Sequence, residues 1–371
     1  MGTGIHGKNG INPVISRKIW ERYNIPRSTH GLEVQIMSET EMNKLLTHER
    51  EYLKMFQSLP KFAPNILSYI LVGGTPVEVV IHKRMLSLLM NVRRKDCLEA
   101  DIGRRQLAMK SSSSQSWFFR VNRVANYYGL PNSYTVMDET AWDKKKWKAI
   151  VKVAITNKLE IFWRQEVSQL QSLSALNPGT IFHGKGHPAW TTADSPNACR
   201  QAISKIRFLT DTLMNGEKYN KFYNQSPRCI CGHPFEDRYH MILDCNKYED
   251  LREYCLVRMV SLITQKYPFI SEEMIRQNRL VLANLFLDPT WYRRDIGSNN
   301  RGLPNVMTLD DTNDLEKMSR TFCYQIYRRR FSLLSEVEDN ESETDDDDMY
   351  SLHDTSDDTV YSSSDDDDLL H

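Results

Sequence analysis

The chain has 371 residues, 40% of them hydrophobic, with 48 basic side chains against 48 acidic ones. That length predicts two or three domains, and the apolar fraction is enough for packed cores, which excludes a wholly disordered chain. The neutral total conceals a segregation: residues 336–371 carry 16 acidic groups and no Lys or Arg, so residues 1–335 hold 48 basic against 32 acidic, a net charge of +16.

Residues 1–13 are Gly-rich and polar and read as loop. An apolar-periodic run follows over 15–23, and Pro26 is expected to stop it. The alternation Glu33, Val34, Gln35, Ile36, Met37 predicts a short strand. Ser38 and Glu41 have the spacing of a capping box, in which the hydroxyl accepts from the third helical N–H and the carboxylate reaches back. A helix is predicted from there to about residue 59, with Met42, Leu45, Leu46, Tyr52, Leu53 and Phe56 on its apolar side and Pro60 beyond its end.

Further helices are predicted over 65–72, closed by Gly73 and Gly74, and over 76–95, where Pro76 suits a first turn. Others cover 98–109 and 117–128, the latter ending at Gly129 and Pro131. The clearest runs over 142–173. Trp147, Ile150, Val151, Ala154, Ile155, Leu159, Phe162 and Trp163 follow the 3, 4, 7, 8 spacing, which assigns Trp147 and Trp163 to the core. Residues 178–197 are Gly- and Pro-rich and read as irregular. His183 and His187 lie there without a thiol or carboxylate cluster, so no second metal site is expected. Helices over 198–213, 239–267, 271–287 and 309–334 complete a mainly α architecture. From residue 336 the chain is Asp, Glu, Ser and Thr with few apolar groups. Such a segment buries too little surface to offset its ordering entropy, and a disordered acidic tail is expected.

The densest chemistry lies between Cys229 and Cys245. Cys229, Cys231, His240 and Cys245, with His233 between them, place three thiols and two imidazoles in seventeen residues. Four soft or borderline donors suit a tetrahedral, structural Zn²⁺ site. The interval from His240 to Cys245 suits a helical turn that points both side chains the same way. His233 stands as a substitute ligand, and Cys255 as another if the following helix folds back. The remaining thiols, Cys97, Cys199, Cys255 and Cys323, are scattered and read as buried small hydrophobes. No secretory leader is evident, so reduced cysteines are expected.

A basic body favours polyanions. The candidate nucleic-acid contacts are Lys144, Lys145, Lys146 and Lys148, close to Trp142 and Trp147, then Arg200, Lys205 and Arg207, and Arg328, Arg329 and Arg330 beside Tyr327 and Phe331. No apolar run approaches the ~20 residues that cross a bilayer, so no membrane span is expected and the expected compartment is nuclear or cytoplasmic.

Several stretches together resemble one family. They are residues 2–13 (GTGIHGKNGINP), Ile19-Trp20, Pro26, His30-Gly31-Leu32-Glu33-Val34, Gln57 to Pro60, residues 74–89, His187-Pro188-Ala189-Trp190 and residues 205–212. The most specific part is Cys229, Cys231, Gly232, Glu236, Asp237, His240, Cys245, Tyr248 and Arg252, and the match closes on Arg320 to Phe331. Over about residues 2–335 the chain resembles the region downstream of the polymerase core in reverse-transcriptase proteins of LINE-like, non-LTR retrotransposons. Many relatives carry Cys-x-x-Cys at the first pair; here Arg228 takes the place of the first thiol and Cys229 must serve.

The resemblance implies a thumb-like helical region that holds template and primer, with a zinc module that helps grip nucleic acid. It partitions the chain into a helical thumb/connector-like region (1–176), a linker and helix (177–226), a zinc-binding module (227–256), a C-terminal helical region (257–335) and the acidic tail (336–371). The paired aspartates of the family's polymerase have no counterpart set between strands: Asp310-Asp311 precedes a basic helical run, and Asp345 to Asp348 are low-complexity. No endonuclease-like constellation is present, and neither His82, His183 nor Asp138 has a partner at useful spacing. The expectation is therefore a non-catalytic, truncated remnant that binds RNA or single-stranded DNA. The alternatives are a protein-interaction module whose acidic tail takes basic partners, or a relic without selected function.

Overall fold

The computed structural model describes residues 10–93, 98–109, 116–132, 136, 143–296 and 301–341. The helices are α1 (Pro13–Ile19), α2 (Ile25–Ser28), α3 (Glu39–Phe56), α4 (Leu67–Ile70), α5 (Val77–Arg93), α6 (Leu98–Met109), α7 (Trp117–Tyr127) and α8 (Lys144–Gln169). They continue as α9 (Pro188–Thr191), α10 (Pro196–Leu209), α11 (Gly216–Tyr223), α12 (Glu249–Lys266), α13 (Glu272–Arg276), α14 (Arg279–Leu287) and α15 (Leu309–Glu341). Among the described residues no sheet forms, and the only β pairing is an isolated bridge between Arg293 and Met307. The fold is mainly α, as the periodicity requires. Two compact units divide the chain, Met1–Tyr327 and Arg328–His371.

Local chemistry explains the element starts. The capping box forms: Ser38 Oγ accepts from Glu41 N, and Glu41 Oε2 accepts from Ser38 N at 2.8 Å. Asp143 caps α8 by accepting from Lys145 N and Lys146 N at 2.6 and 2.9 Å, which offsets the repulsion of three lysines by the positive helix end. Along α8 the buried side chains are Trp147, Val151, Ile155, Leu159, Trp163 and Val167. They recur every fourth residue, so the stripe winds by about 40° per step. Ile150 falls off it and is exposed. α8 packs against α5, which also packs against α3 and α7. Trp147 Nε1 donates to Leu86 O of α5 at 2.9 Å. Each such large buried side chain contributes roughly 1.5–3 kcal/mol.

Four expectations are corrected. Pro26 does not stop the first helix. A π turn over Trp20–Asn24 widens the backbone, and Pro26 sits in the first turn of α2, where its missing N–H costs nothing. Residues 33–37 are not a strand. Their carbonyls are taken by side chains: Glu33 O by Trp117 Nε1 at 2.6 Å, and Met37 O by Arg120 at 3.0 Å. The helix expected over 239–267 is broken into a π turn, a 3₁₀ turn and α12, because Cys245 is extended at φ −61°, ψ 122°. The last helix continues to Glu341, past the expected start of the tail at 336. The tail expectation for 342–371 lies outside the described residues, as do residues 2–9 of the resemblance, Cys97, Asp138 and Trp142.

The apolar core of the second half of the first unit also encloses several buried polar groups. Asn177 N donates to Asp288 Oδ2 at 2.8 Å and Asn177 Nδ2 to Thr290 O at 3.0 Å, joining two distant segments. Lys205 and Glu316 are both fully buried and 3.5 Å apart, and Lys205 Nζ also donates to Phe286 O at 3.0 Å. α10 and α14 are thereby fixed against each other.

Candidate metal centre

Residues 227–236 fold into a tight knuckle. Glu236 N donates to Pro227 O at 2.8 Å, Cys229 N to His233 O at 2.9 Å and Gly232 N to Cys229 O at 2.8 Å. Gly232 closes the turn at φ +92°, a conformation that favours glycine. Asp237 Oδ1 then accepts from His240 N at 2.7 Å and starts the π turn His240–Asp244. The wide turn ends with Cys245 N donating to His240 O at 2.8 Å. That five-residue register returns Cys245 beneath His240, so both side chains reach the knuckle.

The ligand atoms of Cys229, Cys231, His240 and Cys245 all lie within 4.8 Å of one another, a grouping that can hold a metal ion. Cys229 Sγ and Cys245 Sγ are 3.7 Å apart, and Cys231 Sγ is 3.2 Å from His240 Nε2. Cys229, His240 and Cys245 are buried; Cys231 is half-buried. His240 Nδ1 is buried without a hydrogen-bond partner. His233 stays outside the four-donor set. Its ring stacks on His240 with centroids 4.2 Å apart, and its Nδ1 is 2.8 Å from Phe235 O. Cys255 is elsewhere, with its thiol against Met318 O at 3.8 Å.

Electrostatics inside the cluster are uneven. Burial pushes the Cys229 and Cys245 thiols up. Burial also raises Cys231, but the His233 backbone N–H and the two neighbouring thiols outweigh it and leave Cys231 below the usual thiol range. Burial, then the adjacent His233, lowers His240 and so favours the neutral imidazole, the form that ligates. A divalent cation would displace the protons that burial retains on Cys229 and Cys245.

A supporting shell fixes the ligands. Glu236 is 1% exposed, with Oε1 4.0 Å from Cys229 Sγ and Oε2 accepting from Gly216 N at 2.7 Å. Arg252 donates to Ile242 O at 3.0 Å and Cys245 O at 2.6 Å, holding the π turn against α12. Arg238 donates to Ser172 O at 2.8 Å and Leu209 O at 3.1 Å, anchoring the module to two other segments. Asp244 and Arg279 form a two-pronged ion pair that fastens the turn to the start of α14.

The basic candidates fall on separate elements. Lys145, Lys146 and Lys148 are exposed on the first turns of α8, Lys144 is half-buried, and Arg200 is exposed on α10. Lys205 is corrected: wholly buried against Glu316, it presents no charge to a polyanion. Arg207 is half-buried and donates twice to Ser58 O, at 3.1 and 2.7 Å. Arg328, Arg329 and Arg330 belong to the second unit, on α15. His183 and His187 do not share a site. His183 lies between Thr75 and Thr156, whereas His187 caps α9 and faces Asp288 at 3.6 Å. No described helix is long and apolar enough to cross a membrane. Comparison with models of protein families, with curated proteins and with solved structures finds no match to this chain.

Proposed function

We propose that the four-donor cluster holds a structural Zn²⁺ and that the surrounding chain grips RNA or single-stranded DNA without catalysing a reaction. The observation that carries this reading is the donor geometry. Tetrahedral zinc, with Zn–S near 2.3 Å and Zn–N near 2.0 Å, demands edges of about 3.8 Å between sulfurs and about 3.5 Å from sulfur to nitrogen. Two of the six edges are 3.7 and 3.2 Å, and all six lie within 4.8 Å. Three thiols and one imidazole favour zinc over calcium or magnesium, which take oxygen donors. Four protein ligands leave no open position, so the ion would knit and not react.

The nucleic-acid half of the reading rests on charge and on the resemblance to the post-polymerase region of LINE-like reverse transcriptases. Residues 1–335 carry a net +16. Phosphate neutralisation by such a surface is sequence-tolerant and weakens as salt rises. The purified chain is expected to contain one zinc per molecule by elemental mass spectrometry and to melt at lower temperature after chelation. It is also expected to retain labelled RNA on a filter at low salt and lose it at moderate salt. Absent zinc with an unchanged melting curve overturns the metal assignment. Affinity that does not weaken with salt, or no binding at all, overturns the nucleic-acid assignment.

A further inference from the structure

The strongest unassigned surface lies beside the knuckle. Residues 218–235 contain no Asp or Glu, yet hold Lys221 and Arg228 with Tyr219, Phe222, Tyr223 and Phe235, while Lys218 pairs with Asp211 at 2.7 Å. Tyr223 and Phe235 are each 57% exposed and Phe222 is 38% exposed. Phe222 does not stand alone. It meets Phe62, from the distant loop after α3, with ring centroids 4.8 Å apart and planes tilted by 42°. Phe62 is itself 38% exposed. Lys221 Nζ lies 5.7 Å from the Phe222 ring centre, and Tyr219 and Tyr223 sit 6.1 Å apart on α11.

These exposed rings are rigidly placed. Glu236 accepts from Gly216 N at 2.7 Å while Glu217 N donates to Glu236 O at 3.2 Å, so the start of α11 is clamped to the knuckle. A Cβ at Gly216 would stand 2.6 Å from Pro227 O, so only glycine allows that approach. On the other side, Lys54 Nζ donates to Lys61 O at 2.8 Å and to Asn65 Oδ1 at 3.0 Å. Arg207 holds Ser58 O, and Ser58 itself sits at φ +52°. The loop that presents Phe62 is therefore fixed at both ends by buried or half-buried cations.

We propose that α11, the knuckle and the loop carrying Phe62 form a stacking ledge for unpaired bases, with Phe62, Phe222 and Tyr223 as platforms and Lys221 and Arg228 facing phosphates. It deepens the nucleic-acid reading above and rests on it. The chemistry selects a single strand over other occupants. Exposed π faces interleaved with cations and the amides Asn224 and Gln225 match bases and phosphates, and stacking tolerates any base. A duplex keeps its bases stacked inward and would use only the cations. An acidic protein segment would also need the cations but not the rings; Ile230 is the one aliphatic side chain in the stretch, leaving little for an apolar partner to cover.

The test uses the full chain and fluorescence anisotropy with labelled oligouridylate and oligodeoxythymidylate 15-mers and a 15-base-pair DNA duplex. The triple variant Phe62→Ala, Phe222→Ala, Tyr223→Ala is expected to bind both single strands about tenfold or more weakly, since each lost base stack is worth severalfold to a hundredfold, while duplex binding is unchanged. Phe222→Tyr is expected to retain binding. Comparing the two single strands tells whether the ledge takes RNA or DNA. Unchanged melting temperature and metal content show that the triple variant is folded. Should it be unstable, 5-bromouracil cross-linking of the wild-type chain supplies a second readout, with adducts expected at Phe62, Phe222 or Tyr223. Equal single-strand binding by wild type and folded triple variant, or adducts confined to other segments, overturns the ledge but leaves the nucleic-acid reading standing. A wild-type chain that binds none of the three probes overturns both.

Discussion

The Glu236 carboxylate accepts the backbone N–H of Gly216 at 2.7 Å, and this bond joins the knuckle that carries Cys229 to the helix that follows α10. Glu236 serves both neighbours, because its other oxygen lies 4.0 Å from Cys229 Sγ. Losing the carboxylate leaves a buried N–H unpaired, which costs about 1–3 kcal/mol. Outer-shell groups of this kind also tune metal affinity by roughly 10–100-fold. Glu236→Ala is expected to lower the melting temperature and weaken metal retention in a chelator competition. Glu236→Gln, which keeps one acceptor for Gly216, should recover most of the stability but less of the retention. Equal retention in both variants and wild type would separate Glu236 from the metal site.

The position of His233 makes a second prediction. It stacks on His240 and contacts Phe235 O through Nδ1, while the group of donors close enough to share one ion consists of Cys229, Cys231, His240 and Cys245 without it. Cys245→Ser and Cys229→Ser are each expected to lose stoichiometric metal and to melt close to the chelated wild type. His233→Ala should keep full metal content and lose only about 1 kcal/mol from the stacked rings. Metal loss in His233→Ala, measured by elemental analysis, would place it in the coordination sphere instead.

Much of this site was legible because ligand chemistry is local. Cys229, Cys231, His240 and Cys245 lie within seventeen residues, and one knuckle and one π turn bring them together. The capping box at Ser38 and Glu41 was legible for the same reason. α11 was not. It is short, begins with Gly216, and is capped by Asn215 within a polar stretch whose turn-like composition masks it. Lys205 was misread as a surface charge because its partner Glu316 lies far along the chain. The contrary signal was present: Ala202 and Leu209, three residues before and four after, are both apolar, which puts Lys205 on the same face of α10 as two residues the structure buries. The strand expected at 33–37 failed because a five-residue alternation cannot reveal that Trp117 and Arg120 will take its carbonyls.

Glu49 gives a pH-dependent prediction. It is buried on α3, and one carboxylate oxygen accepts from both Tyr69 OH and Val77 N at 2.9 Å. Burial raises its pKa from an ordinary 4.5 to about 7, against those two hydrogen bonds. A group raised on folding contributes stability below its unfolded pKa and loses it as pH rises through the folded one. Stability should therefore fall by about 3 kcal/mol between pH near 4.5 and pH above 7 on account of this residue. Glu49→Gln keeps an acceptor for both donors and cannot ionise. Urea titrations are expected to show the variant matching wild type near pH 5 and exceeding it near pH 8. Parallel pH profiles for the two proteins would refute this assignment.

The Lys205–Glu316 pair yields the sharpest stability test. Both side chains are wholly buried 3.5 Å apart, and neither Glu316 oxygen has a hydrogen-bond donor. Burial raises Glu316, while Lys205 lowers it. Removing one charge strands the other in a low-dielectric interior, at a cost of roughly 3–5 kcal/mol. Replacing both by apolar groups of similar volume removes both desolvation penalties and is often neutral or stabilising. Lys205→Met alone is expected to destabilise by that full amount. Glu316→Leu alone should be milder, because Lys205 Nζ keeps Phe286 O and the Ser319 hydroxyl. The double variant should recover a large part of the loss, and a double-mutant cycle by chemical denaturation measures the coupling directly. Additive losses would mean the two charges are stabilised by their surroundings and not by each other. Nucleic-acid affinity per folded molecule should be the same in all three variants, since Lys205 never reaches the surface.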